Sequence, residues 1–188
     1  MKNLNRTGTY VAFDGLGQTD PSKSDYRYYA TLQAWTRNNN IDFRLVNSHE
    51  KTYAVRDSSS KRTLYDRIQE RLRASKNMLV VISKDTRRTG SVLSYEIEKA
   101  VDFYDLPLII TYPDCSVSDL SDWDKLSNMW PQALADRISG SKIKAIHILF
   151  SKAPILDAIN RFTVNGTKLL GGKCYYKRES YIQWGIID

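Results

Sequence analysis

Histidine and cysteine are scarce in this chain, with two of each among 188 residues. Cys115 and Cys174 show neither CxxC spacing nor a nearby histidine. They read as free thiols, and no metal site is expected. His147 falls inside a strand-like run and reads as a core or face residue, while His49 sits in a polar loop. Neither is assigned acid–base work from sequence. No apolar run approaches the length of a bilayer-spanning helix, and no charged-then-apolar leader opens the chain. A cytoplasmic protein with no membrane partner is therefore expected. Four signatures of parallel-sheet proteins are also missing or incomplete. There is no GxxxxGK[ST] phosphate loop and no GxSxG nucleophile elbow. Gly15-Leu16-Gly17 supplies half a dinucleotide fingerprint, but it leads into a loop containing Pro21 rather than into a helix. A phospho-acceptor receiver would need an aspartate closing its third strand, where this sequence has Ser83.

What is present suits one globular domain spanning 1–188. Hydrophobic residues make up 41% and charged residues 26%, enough apolar content for a sizeable core. The net charge of +7 is concentrated: residues 51–90 hold 11 basic and four acidic side chains. That stripe centres on Lys61, Arg62, Arg67, Arg71, Arg73 and Lys76. It reads as a solvated helix face, with polyanion binding as the alternative. Nucleic acid is not the expected partner.

Strand-like and helical patterns alternate five times. Thr9–Asp14, Ile41–Val46, Asn77–Ser83, Leu106–Tyr112 and Lys142–Phe150 read as strands, mostly continuous apolar runs. Tyr28, Leu32 and Trp35 mark a first helix with Ser24 as N-cap, and Leu64, Ile68 and Leu72 mark a second. A third begins near Ser91, and Pro131–Ile138 and Pro154–Phe162 are two more. Pro113–Met129 reads as a long acidic loop. After a core of about 9–162, Thr167–Leu170, Lys173–Tyr176 and Tyr181–Ile187 read as a small C-terminal β appendix over about 165–188. The expected fold is α/β: a five-stranded parallel sheet with helices on both faces. Ligands in such folds gather beyond the carboxyl ends of the strands.

Glu96 is the most informative residue. Leu93, Ile97, Ala100, Val101 and Tyr104 form the apolar stripe of the third helix. At roughly 100° per residue, Glu96 lies about 80° from the stripe centre, at the margin of the buried face. Most helical glutamates are solvated, but a carboxylate at that margin can also look into a cleft above the sheet while its stem stays packed.

Several segments matter for their order. They are Tyr10-Val11-Ala12-Phe13-Asp14, Tyr28-Tyr29, Ala34-Trp35 with Ile41-Asp42-Phe43, and His49 with Arg56-Asp57-Ser58-Ser59. Arg71-Leu72, Ser83 with Thr86, and Tyr95-Glu96-Ile97-Glu98 before Ala100 follow. In this order and spacing they resemble the bacterial TIR-like domain family of the Thoeris antiphage-defence type. The resemblance implies a flavodoxin-like TIR fold, Glu96 as catalytic glutamate, and NAD as a substrate rather than a cofactor. It implies release of nicotinamide with a linear or cyclic ADP-ribose-type product. The chain departs from its relatives at Val92, where tryptophan is common, and at Leu93, where many have cysteine. Aromatic support for a bound base would fall to Phe13, Tyr10 or Tyr95.

The implied chemistry suits a site with one carboxylate. Ordinary glycoside cleavage uses two, because the leaving oxygen needs a proton. Nicotinamide leaves NAD as a neutral base, so the task is to stabilise an oxocarbenium-like ribose. Gly15, Gly17 and the start of the first helix could bind pyrophosphate, with Arg56 or Arg87 adding charge. Asp14 and Asp57 either orient a ribose or brace their loops. Ser83 is a substrate contact or a backbone cap. The alternative function is a non-catalytic TIR-like module acting by self-association as a homo-oligomer, for which the aromatic tail (Tyr175, Tyr176, Tyr181, Trp184) is the sequence support. A nucleoside deoxyribosyltransferase ranks third, and would ignore NAD.

Overall fold

The computed structural model describes residues 6–18, 24–36, 45–47 and 58–188. The strands are β1 (Gly8–Ala12), β2 (Leu45–Asn47), β3 (Ser75–Val81), β4 (Leu108–Tyr112), β5 (Ala145–Leu149) and β6 (Cys174–Tyr175). The helices are α1 (Tyr26–Thr36), α2 (Ser58–Ala74), α3 (Val92–Asp102), α4 (Trp123–Met129), α5 (Gln132–Ser139), α6 (Lys152–Arg161) and α7 (Arg178–Gln183). Five parallel strands run in the order β2-β1-β3-β4-β5, and the two-residue β6 adds to the edge beside β5, also parallel. The register sets Tyr10 beside Met78, and Met78 beside Leu108.

Both faces of the sheet are covered, which is why its strands are apolar throughout rather than alternating. Tyr10, Ala12, Met78, Val80, Leu108 and Ile110 face one core, with Ile68 and Leu72 of α2, Leu93 and Ile97 of α3, and Leu134 of α5. Val11, Phe13, Leu79, Val81, Ile109 and Ile146 face the other, with Tyr29 and Leu32 of α1 and Ile155 and Ile159 of α6. Adjacent residues of β1 therefore serve opposite cores, as the two-residue period of a strand requires. Asn77 pins the second layer: its side-chain amide donates to the carbonyls of Ile159 and Phe162 at 2.9 and 2.8 Å, and its oxygen accepts from Thr9 Oγ1 at 2.7 Å.

Two expectations are corrected. The tail is not a β appendix. Lys173–Tyr176 contributes only β6, and the stretch read as a strand from Tyr181 is largely helix α7 and a turn. Tyr181 and Trp184, spaced for a helix, both pack edge-on against Tyr176, with centroids 6.5 and 5.0 Å away. The acidic segment 113–129 is structured as well. It holds a 3₁₀ turn, Val117–Ser121, under a Ser116/Asp119 capping box, followed by α4 with Asp122 as N-cap.

Candidate functional site

Strand order reverses between β1 and β3. β1 leads through α1 outward to β2, and the chain returns through α2 to the opposite side of β1. The carboxyl ends of β1 and β3 thus flank the crevice where ligands of doubly wound sheets bind. Two aspartates meet there. Asp14, two residues past β1, is wholly buried. Its Oδ1 accepts from the Leu16 amide at 2.9 Å and from Arg87 Nη2 at 2.7 Å, and its Oδ2 accepts from the Arg87 amide at 2.9 Å. Burial alone would raise the Asp14 carboxyl, but these Arg87 and Leu16 bonds outweigh it and hold it below its ordinary value.

Asp25 is the second. It directly precedes α1 and is also wholly buried. Its Oδ2 accepts from Ser83 Oγ at 3.0 Å and more weakly from Thr86 Oγ1 at 3.4 Å. Burial, together with the charge of Asp14, pushes its carboxyl up to about 6 against the pull of the Ser83 and Thr86 bonds. Thr86 Oγ1 also accepts the Ser83 amide at 2.9 Å, so the turn after β3 is built around this pair. Ser83 is therefore both a loop cap and the hydroxyl that holds Asp25. Gly17, at φ +66°, brings the β1–α1 loop against Arg87; a Cβ there would lie 3.4 Å from Arg87 Nη1.

Glu96 lies on the first core's side of the sheet. It is wholly buried, deeper than its angle on the helix implies. Tyr10, from the middle of β1, donates its hydroxyl to Glu96 Oε1 at 2.6 Å. Tyr95 next to it is half-buried and packs on Tyr65 of α2, ring centroids 4.2 Å apart. Phe13 belongs to the opposite core, stacked on Tyr29 at 5.7 Å and edge-on to Tyr26 at 6.1 Å. The structure therefore joins Asp14, Ser83 and Arg87 at the crevice and pairs Glu96 with Tyr10, but does not bring Phe13 to Glu96. His49, Arg56 and Asp57 lie outside the described residues. Asp25 carried no site assignment from sequence. Its partner Ser83 lies 58 positions away, and only the strand order makes them neighbours.

His147 is buried in the core by hydrogen bonds at both ring nitrogens, and burial lowers it to about 4, keeping it neutral. Both cysteines are free thiols. Among the described residues no cluster of metal-ligating side chains occurs, and no helix is long and apolar enough to cross a membrane.

The family model described as the TIR-like domain of Thoeris protein ThsB matches residues 10–118. That span covers more than half of the chain and takes in the last three residues of β1, the crevice residues and Glu96. The chain belongs to this TIR-like family.

Proposed function

We propose that this TIR-like signalling domain cleaves or cyclises NAD, with Glu96 as the group that steadies the reacting ribose. The observation that carries the reading is the Glu96 carboxyl itself, held out of water on α3 by the Tyr10 hydroxyl. A carboxylate acts most strongly on developing positive charge where water does not screen it. The C1′–N bond of NAD breaks with its electron pair going to the nicotinamide nitrogen, which leaves neutral. The ribose cation facing Glu96 is then captured by water, whose proton passes to solvent, or by a nitrogen of the adenine ring.

Entry of the ribose requires the start of α3 to shift, and that start is loosely secured. Ser91 makes no side-chain cap, its Oγ is buried without a hydrogen-bond partner, and Gly90 before it holds φ +76°. In this reading Asp14, Ser83 and Arg87 border the crevice that receives ribose and pyrophosphate, and Tyr95 flanks the carboxylate. Asp57 is a further ribose contact on the family resemblance, and Phe13 supports the β1 end from the other core. Concentrated protein incubated with NAD should release nicotinamide, detected with its co-product by mass. Glu96→Gln should lower that release at least about 100-fold with the melting temperature retained. Unchanged turnover in the variant removes the assignment, and turnover of nucleosides instead of NAD selects the deoxyribosyltransferase.

The second reading, a non-catalytic module working by self-association, is favoured by one feature. Leu170 is 97% exposed and Tyr175, on edge strand β6, 44%. Concentration-dependent assembly that Leu170→Glu abolishes, with no NAD turnover, would select it.

A further inference from the structure

We propose that Asp25 is a substrate-binding residue, its Oδ1 accepting a hydrogen bond from a sugar hydroxyl of the bound dinucleotide. The inference rests on the reading of this crevice as the NAD site and names a contact within it. Asp25 is wholly buried at the β1/β3 switch point. Its Oδ2 is engaged by Ser83 and Thr86, while Oδ1 is buried and meets no hydrogen-bond donor among the described residues. A buried carboxyl oxygen without a donor is costly, and protonation does not remove the cost: a proton on Oδ1 finds no acceptor, and one on Oδ2, given to Ser83 Oγ, still leaves Oδ1 without a donor. A ligand donor removes it.

The charge around Asp25 selects the donor's type. Facing it are the Asp14 carboxylate with its Arg87 partner, Arg27 and Tyr28 on its own helix, and Asp114 near that pair. Phosphate is excluded from Oδ1 by the carboxylate itself and by Asp14. A neutral donor is left; a dinucleotide offers ribose hydroxyls and base N–H groups, and the ribose hydroxyls, which flank the pyrophosphate that this reading sets beside Arg87, are the ones assigned to Oδ1. A hydroxyl favours the ionised acceptor, so binding should draw Asp25 toward its carboxylate form. Its carboxyl, otherwise raised to about 6, makes that change fall in an accessible range.

The test is ADP-ribose affinity by calorimetry in wild type, Asp25→Asn and Asp25→Ser, with inorganic pyrophosphate as a probe lacking hydroxyls. Wild-type affinity for ADP-ribose should fall about tenfold from pH 6.5 to 5, as Asp25 takes up a proton. Both variants should bind ADP-ribose at least about tenfold more weakly at pH 7, with no such pH slope. Pyrophosphate affinity should not change between the three proteins. Equal ADP-ribose affinity in the variants, with nicotinamide release intact, would mean that water serves Oδ1, and would overturn the contact while leaving the NAD reading in place. A wild type that neither binds ADP-ribose nor releases nicotinamide overturns both.

Discussion

The two ends of this sheet bury polar groups in opposite ways. Toward the β5–β6 edge, Trp130 Nε1 donates to the Tyr112 hydroxyl at 2.8 Å, and that hydroxyl meets His147 Nδ1 at 2.7 Å. His147 Nε2 lies 2.8 Å from the Gly172 carbonyl. An indole only donates and a carbonyl only accepts, so the direction is fixed: Nε2 of a neutral His147 carries the proton, and Nδ1 accepts from tyrosine. The chain closes with its donors and acceptors matched. At the β1/β3 crevice, Asp25 spends one oxygen on Ser83 and Thr86, and the other has no donor among the described residues. A closed network locks a structure, whereas an open one stores a cost that a ligand can relieve. The difference distinguishes the two ends more sharply than burial does, since Asp25 and His147 are equally inaccessible.

The largest effect should come from breaking the closed network. His147→Ala removes the imidazole between Tyr112 and Gly172 and opens a cavity ringed by Trp123 and Trp130, whose centroids lie 5.2 and 5.6 Å from it. A loss of about 3–5 kcal/mol in denaturant unfolding is expected, the sum of a cavity and two unpartnered polar groups. The Asp14–Arg87 and Asp25–Ser83 contacts at the β1/β3 end should be retained below the melting transition. A loss under about 1 kcal/mol would show that this end of the sheet is not locked as described.

Asp25→Asn should move stability the other way. The folded-state carboxyl lies near 6 against an ordinary 3.8, so the folded protein holds a proton that the unfolded chain has released. The contribution of Asp25 is therefore fully present below about pH 4 and lost as pH rises through about 6. By pH 7 the wild type has given up at most about 3 kcal/mol that the neutral amide does not forfeit. The variant should thus melt higher than wild type at pH 7, with the gap closing at pH 4. A gap that is constant with pH would place the proton elsewhere.

The contrast between the two ends also marks where sequence reading stops. The parallel sheet was legible because runs such as Met78–Ile82 and Leu108–Tyr112 have no polar alternation, and the helices because Leu64, Ile68 and Leu72 or Leu93, Ile97 and Ala100 recur at helical spacing. The tail misled: short aromatic runs suit strands as well as helices, and only the packing of Tyr181 and Trp184 on Tyr176 decides for α7. Ser116 three positions before Asp119, and Asp122 before Trp123, were available as capping signals within the supposed acidic loop. The burial of Glu96 was legible only in part: its helical angle put it at the margin of the buried face, whereas it is wholly buried. Its partner Tyr10 lies 86 positions away, and Arg87 is 73 positions from Asp14. Pairings at such range follow from strand order and register, not from local pattern.

A third test asks whether the crevice tolerates loss of its cation. Arg87→Ala leaves Asp14 buried with only the two backbone amides of Leu16 and Arg87 as donors. The Arg87 side chain is 40% exposed, so solvent screens part of what the pair contributes. About 1–2 kcal/mol should be lost at pH 7 in denaturant unfolding. The sign with pH is opposite to that of Asp25. Asp14 is held low in the folded protein, so its stabilisation is present above the ordinary carboxylate range and is lost as pH falls below it. The Arg87→Ala deficit should shrink in acid, whereas the Asp25→Asn advantage grows as pH rises.

The smallest expected effect falls on the loop that joins these groups. Gly17 holds φ +66°, a conformation that costs an L residue about 1 kcal/mol, and an added Cβ would touch Arg87 Nη1 at 3.4 Å, an ordinary contact. Gly17→Ala should therefore lower stability by about 1 kcal/mol through the backbone, with little steric cost. Its value lies in the comparison with Gly172, where a Cβ would come within 2.6 Å of Ile143 Cγ2. Gly172→Ala should cost more, about 1–3 kcal/mol, because the carbonyl of that residue is the last acceptor of the His147 chain and the core must give way to admit the methyl. If the crevice is the adaptable end of the sheet and the β5–β6 edge the locked one, the order of these two losses follows. A Gly17→Ala variant less stable than Gly172→Ala would reverse the assignment of which end yields.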